Sequence, residues 1–393
     1  MVTFWKLSTA GFAATAITYG PARMGFGLFL AEFRDDFTLS TGMAGLISSL
    51  GFLGMLIGLI AAYATLALAG PRSPILLGLG FATVGTGLAA TATSLPLLTL
   101  GIVLAMTSAG FAWTPFNNIV SRRLPDEMRP SALAIISTGT SLGIAAAGAT
   151  AIGVGLSGLP WRVAWVGFAG ASAFALLVNI VALRDPSGPL GASTPIDPWG
   201  TLLHRSAMPL YAIALSFGVT TAIYFSFAAD RIEQAGGVPG IPSGSSPAIL
   251  FVAFGLFGLL GLATGRIKAV TGLSALLRLL LVGSALSLSL VALMPTAWAG
   301  VVVSAGLQGI FVMMMSAIMA FWSERLFPQM PARSFTAALV AVAIGSVLGP
   351  AVAGTVSGLW GPEVMFLATA ALSITTMPVI LPRFVQERPG PTA

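Results

Sequence analysis

The chain has 393 residues, of which 56% are hydrophobic and only 8% charged. A soluble domain carries roughly a quarter charged residues, so this composition excludes a water-facing surface and describes a protein embedded in lipid. The formal charge of +6 arises from 18 Lys and Arg against 12 Asp and Glu, with a single His and no Cys, which excludes disulfide and thiol chemistry.

A crossing helix needs about 20 mostly apolar residues. Helices are the expected element, because lipid offers no partner to unpaired backbone groups. The apolar runs predict twelve spans, at 5–30, 40–68, 74–93, 96–119, 131–155, 161–183, 207–229, 247–264, 273–294, 297–322, 334–358 and 363–382. The first run is long and lacks a small-residue cleavage site, so it reads as the first helix and not as a removed signal.

Span one places Arg23 deep in an apolar run, just after Gly20-Pro21, where a helix break is expected. Arginine at the centre of a span costs about 2.5–3.5 kcal/mol on insertion scales. Its planar fork of donors suits a carboxylate or phosphate. The alternatives are snorkelling or a structural pair with Glu32 or Asp230. Spacing by four puts Thr15, Tyr19, Arg23 and Gly27 on one face. Span two carries Gly51, Gly54 and Gly58, a spacing that lets backbones approach closely, and Gly70 and Arg72 follow it. In span four, Gly110, Trp113 and Asn117 share a face, beside Thr107, Thr114 and Asn118. Arg122, Arg123, Asp126, Glu127 and Arg129 follow as a charged cluster, read either as bridging between two bundles or as an orientation anchor.

The stretch 184–206 is Pro-rich and short, a linker and not a domain. Span seven aligns Ser216, Thr220 and Tyr224 and ends at Asp230; span ten sets Gln308 alone among apolar residues, ahead of Met313, Met314 and Met315. Arg333 sits in the loop that follows, with Glu324 and Arg325 before it. The twelve acidic residues all fall in loops or at span ends, so Glu32 and Asp230 are the expected coupling or gating carboxylates, paired with Arg34 and Arg231. If both termini are cytoplasmic, fourteen of the 18 Lys and Arg lie on or near the inner side and only Arg34, Arg162 and Arg231 outside. This positive-inside bias accounts for the basic excess and leaves no nucleic-acid patch.

The halves repeat. Tyr19-Gly20 and Glu32 recur as Phe217-Gly218 and Asp230, 198 residues on. The loop Leu124-Pro125 to Pro130-Ser131 is echoed by Phe327-Pro328 to Arg333-Ser334, and Ser157-Gly158-Leu159 by Ser357-Gly358-Leu359. Two six-span units in the same orientation imply parallel halves.

Twelve spans, a 6+6 duplication and a central linker make the chain resemble the major facilitator superfamily over its whole length. Gly70 and Arg72 fit the family loop after helix two, although its acidic position is apolar here. Met106 to Gly110 lacks the arginine often found in helix four. Helix five lacks the Gly-Pro of many antiporters, and Gly349-Pro350 stands in span eleven instead. The resemblance implies an all-α membrane protein with bundles at 1–183 and 207–393. It implies transport of a small-molecule solute by alternating access, with helices one, four, seven and ten around a cavity. It also implies a bacterial inner membrane, cytoplasmic termini, no enzyme activity and a path complete in one monomer. A coupling ion belongs to that picture; a cofactor does not. The expected substrate-binding residues are Arg23, Tyr19, Trp113, Asn117, Tyr224 and Gln308, and the expected gating residues are Glu32, Asp230, Arg72, Arg129 and Arg333. A small organic anion is the first reading and a lipophilic solute or drug the second, since flexible Met surfaces suit promiscuous binding. An intramembrane enzyme would need convergent His, Asp, Glu or Cys at membrane depth, and the sequence has none.

Overall fold

The computed structural model describes residues 2–184, 204–242, 244–380 and 385, and these are helical with short connections. Most of the expected 184–206 linker, and Arg383 and Arg388, lie outside the described residues. The first half comprises α1 (Val2–Tyr19), α2 (Pro21–Leu28), α3 (Leu30–Phe37), α4 (Thr41–Ala69), α5 (Arg72–Ala90), α6 (Leu95–Gly110), α7 (Trp113–Arg123), α8 (Arg129–Leu156) and α9 (Trp161–Ala182). The second comprises α10 (Met208–Gln234), α11 (Ser246–Gly258), α12 (Thr264–Thr271), α13 (Leu273–Leu293), α14 (Trp298–Leu326), α15 (Pro331–Trp360) and α16 (Pro362–Thr375).

Among the described residues, 11 helices are long and apolar enough to cross a membrane. The expected first span differs, because 5–30 is not one helix. Pro21 has no N–H to donate, and the chain breaks at Gly20 and again at Phe29, whose φ of −113° and ψ of 19° are non-helical. The three segments carry the chain on to Phe37 before Thr38 turns it in the left-handed region at φ 52°. Span seven also runs further than its apolar stretch, to Gln234. Asp230 therefore lies inside α10, buried, and not at a solvated end.

The chain runs alternately between two ends of the molecule. The near end holds the start of α1, and the far end holds the connection from α3 to α4. Within each half the repeat reappears as packing. Gly20 meets Gly143 across α1 and α8, and 198 residues on Gly218 meets Val342 across α10 and α15. The halves meet at the far end. Gly45 on α4 packs against Pro350 on α15, and Gly148 on α8 against Ala248 and Val252 on α11. Ser48 and Ser226 share a hydrogen bond of 2.5 Å between α4 and α10. An aromatic cluster stiffens this end of the first half, with Phe33 edge-on to Trp161 at 4.9 Å and Trp165 beside Phe29 and Phe33.

Among the glycines that meet the other half, Gly27 leaves the least room. A Cβ there would overlap the carbonyl oxygen of Phe225. Gly27→Val is expected to push α2 off α10 and to cost about 1–3 kcal/mol, the usual range for overpacking. A fall in thermal midpoint with unchanged helical circular dichroism checks it; a midpoint equal to wild type means the halves do not need this contact.

Candidate functional site

Between the two halves lies a cavity of about 220 Å³. Its walls come from the near half of the molecule: Val312 to Ala320 on α14, Phe335 to Ala343 on α15, Trp113 and Thr114 on α7, and the stretch that follows α11. That stretch is a tighter 3₁₀ turn spanning Leu259–Ala263. Tyr19 and Arg23 line it from the part of the first crossing nearest the far side. Arg23 is placed there by the Gly20-Pro21 break, which starts α2 as a separate segment.

The Arg23 guanidinium stands 5.7 Å from the ring centre of Tyr19, 5.6 Å from Phe52 and 5.4 Å from Phe225. Cation–π contacts of this kind stabilise a desolvated cation by up to about 2 kcal/mol each. They do not neutralise it. Among the described residues Arg23 has no hydrogen-bond acceptor and no ion pair, and its Nε is buried without a partner. The structural pairs expected as alternatives, with Glu32 or Asp230, are not formed. Among the described residues no Asp or Glu lines the cavity. The site is therefore a half-buried positive charge with free donors in a largely apolar chamber, suited to an anion.

Asp230 is engaged elsewhere. Arg34 grips it from the other half in a fork, Nε at 2.9 and 3.1 Å and Nη2 at 2.9 Å, and Gln234 donates at 2.8 Å. Arg34 also donates to the Leu39 carbonyl and to Thr41. Arg231, the expected partner, turns instead to the Ala292 carbonyl. This is a bidentate ion pair across the two halves at the closed end.

The sequence profile of the Major Facilitator Superfamily matches residues 12–277. The chain belongs to that superfamily. No curated protein matches the sequence. Among solved structures, a POT family transporter in complex with 5-aminolevulinic acid superposes with a TM-score of 0.79 at 14% identity, covering 98% of this chain and 96% of that one. A mutant of the nucleoside transporter NupG gives 0.75 at 15%, covering 96% and 98%. A bacterial homologue of the human lysosomal transporter Spinster, inward-facing and unoccupied, gives 0.74 at 16%, covering 99% of each chain. At these identities the likeness establishes the fold.

Within this superfamily member the remaining expected site residues divide. Trp113 lines the cavity with Tyr19 and Arg23. Asn117, one turn further along α7, does not. Tyr224 and Gln308 are fully buried inside the second half, away from the chamber. The Tyr224 hydroxyl bonds Ser304, which bonds Ser287, and Ser216 bonds Thr376, so this polar stripe ties α10 to α13 and α14 and to the residue that ends α16. Thr15 likewise donates to the Ile136 carbonyl of α8 at 2.6 Å. Helical spacing identifies a shared face but not which neighbour that face meets. Sequence reasoning missed two kinds of contributor. Phe52 and Phe225 have no signal in a chain with 24 phenylalanines. The polar run Ser137-Thr138-Gly139-Thr140-Ser141 in an apolar span does give one, and four of its residues line the cavity. At the near end Arg129 pairs with Asp126 and donates to the Leu124 carbonyl, within its own half. Arg72 has its Nε buried without a partner, and Arg333 has no ion pair among the described residues.

Glu32, just beyond the apolar run of the first span, has no ion pair among the described residues. Burial pushes its carboxyl up to about 7 from 4.5, with Glu233, Asp35 and Asp230 adding repulsion. The folded chain thus keeps a proton that the unfolded chain releases between about pH 4.5 and 7, so stability falls as pH rises through that window. Glu32→Gln removes the penalty. Its thermal midpoint is expected to match wild type near pH 4.5 and to exceed it at pH 8, by an amount corresponding to about 1–3 kcal/mol. Equal midpoints at pH 8 would show a solvated, ordinary carboxylate.

Proposed function

We propose that this protein is a secondary active transporter that moves a small organic anion across the bacterial cytoplasmic membrane by alternating access. The reading comprises twelve crossings, with α1 and α2 together making the first. It comprises bundles at 1–183 and 207–393 joined by the 184–206 linker, and termini in the cytoplasm. In that orientation the cavity faces inward and the Arg34–Asp230 pair closes the outer side.

One observation supports the reading: Arg23 is a half-buried cation with no carboxylate partner among the described residues, lining the cavity between the halves. A cation in the low-dielectric interior without a partner is costly, and an anionic solute offsets that cost on binding. Arg72, Arg129 and Arg333 lie at the near end and serve in this reading to bridge the halves when the outer side opens. A lipophilic-solute exporter is the second reading, favoured by Met55, Met313, Met319 and Phe335 in the cavity wall.

Thermal stability of the purified protein against carboxylates, phosphonates, sulfonates and lipophilic cations separates the two. Stabilisation by one class of anion is the expected result. Stabilisation by lipophilic cations alone overturns the anion reading.

A further inference from the structure

The cavity constrains more than the sign of the charge. The geometry points to a monovalent amphipathic acid as the ligand: one acid group, no amine, and an apolar arene or alkyl body. The inference rests on the reading that Arg23 receives an anion.

The first constraint is charge. Among the described residues, Arg23 is the only charged one that lines the cavity. A second acid group on the ligand would be desolvated without a partner, and so would an amine, because the lining has no Asp or Glu. Dianions and zwitterions are thereby disfavoured. A phosphate monoester, at about −1.5 to −2 near pH 7, is disfavoured for the same reason.

The second constraint is the shape of the charged end. Three aromatic rings surround the guanidinium at 5.4 to 5.7 Å, and Nε is buried. The donors left to the cavity are those of the two terminal nitrogens. Such an end fits a compact acid group presenting two oxygens side by side. A bulky or branched anionic head would have to displace the rings.

The third constraint is the wall beyond Arg23. Leu59, Phe217, Val312, Met313 and Leu339 present apolar surface. Several hydroxyls that line the chamber are already committed to their own helices. Thr138 donates to the Ile135 carbonyl, Thr221 to Phe217 and Ser316 to Val312. Those three hydroxyls can accept from a ligand but do not donate to it, so the polar points of the wall are concentrated at Tyr19, Thr114 and the Ser137 to Ser141 run and the rest offers a hydroxyl-rich ligand no compensation for lost hydration. An apolar body gains from the same burial, at roughly 25 cal/mol per Å².

The test is equilibrium binding to the full-length protein in lipid nanodiscs, with empty nanodiscs as the partition control. Radiolabelled phenylacetate, 2-naphthoate and octanoate are the probes. Competitors matched to the arene body are benzenesulfonate, phenylalanine, 2-phenylethylamine and phthalate, and acetate supplies the acid group without the body. At least one labelled acid is expected to bind saturably. Phenylalanine, phthalate and acetate are each expected to compete at least ten-fold more weakly, while benzenesulfonate reports whether a second monovalent acid head is accepted. Equal competition by acetate, or by phthalate or phenylalanine, overturns the amphipathic inference and leaves the anion reading standing. Radiolabelled 2-phenylethylamine is assayed directly alongside the acids, and its saturable binding with no saturable binding of any acid overturns both. Because the protein is wild type throughout, no outcome depends on a variant folding.

Discussion

Arg23→Ala lowers affinity for the bound anion at least a hundred-fold without lowering the thermal midpoint of the empty protein. Charge-assisted hydrogen bonds contribute about 1.5–3 kcal/mol each, and a terminal guanidinium edge supplies two to one acid group. A structural arginine holds a partner, and its loss destabilises. Arg23 has none among the described residues, and its Nε is buried without a hydrogen bond. Removing it forfeits the attraction to the rings of Tyr19, Phe52 and Phe225, and relief of an insertion cost of about 2.5–3.5 kcal/mol offsets that loss. Arg23→Lys keeps the charge but not the planar fork, and is expected to recover only part of the affinity. Titration calorimetry on all three proteins, with melting curves on the empty forms, gives both numbers. A variant that melts well below wild type but binds anions normally assigns Arg23 to the structure and not to the ligand.

The second large effect concerns the outer closure. Asp230→Ala leaves Arg34 with only the Leu39 carbonyl and Thr41 hydroxyl, and breaking a buried ion pair by removing one member costs about 3–5 kcal/mol. That cost falls on the closed state, since the pair joins the two halves and is separated when they part. The population is therefore expected to move toward outer opening, by about ten-fold for each 1.4 kcal/mol of the difference. The absence of cysteine makes this measurable without background. Ser48→Cys changes little at a position that is buried on the interface, facing Ser226. A membrane-impermeant maleimide is expected to label it slowly in the otherwise native chain and at least ten-fold faster once Asp230→Ala is added. Unchanged labelling would mean that the glycine contacts alone, Gly45 on Pro350 and Gly27 on Phe225, hold the far end shut.

Much of the architecture was legible because lipid leaves few options. A run of about 20 apolar residues must be a helix if it crosses, so eleven of the twelve expected spans reappear with their ends shifted by a few residues. The errors have local causes. Hydropathy treats Gly20-Pro21 and Phe29 as ordinary members of a run, whereas the backbone breaks at both. Hydropathy also ends span seven at its first charge, whereas Asp230 continues the helix because Arg34 and Gln234 satisfy it.

Arg23 was legible for an energetic reason: a charge deep in an apolar run is costly, and its presence asks for an explanation. Tyr19 followed by spacing, and Trp113 by its place on a polar helix face. Tyr224 and Gln308 satisfied the same patterns and are buried within one half. A polar stripe is the same signal whether it meets a neighbouring helix or an open chamber. The sequence by itself determined the apolar crossings, eleven of twelve among the described residues, and the presence of a cation at membrane depth, because each follows from the cost of moving groups from water into lipid. Only the tertiary structure decided that this cation has no carboxylate, that Phe225 from the other half covers it, and that Asp230 pairs with Arg34. Those facts depend on which helices become neighbours, and that choice is made by close packing between residues far apart in the chain.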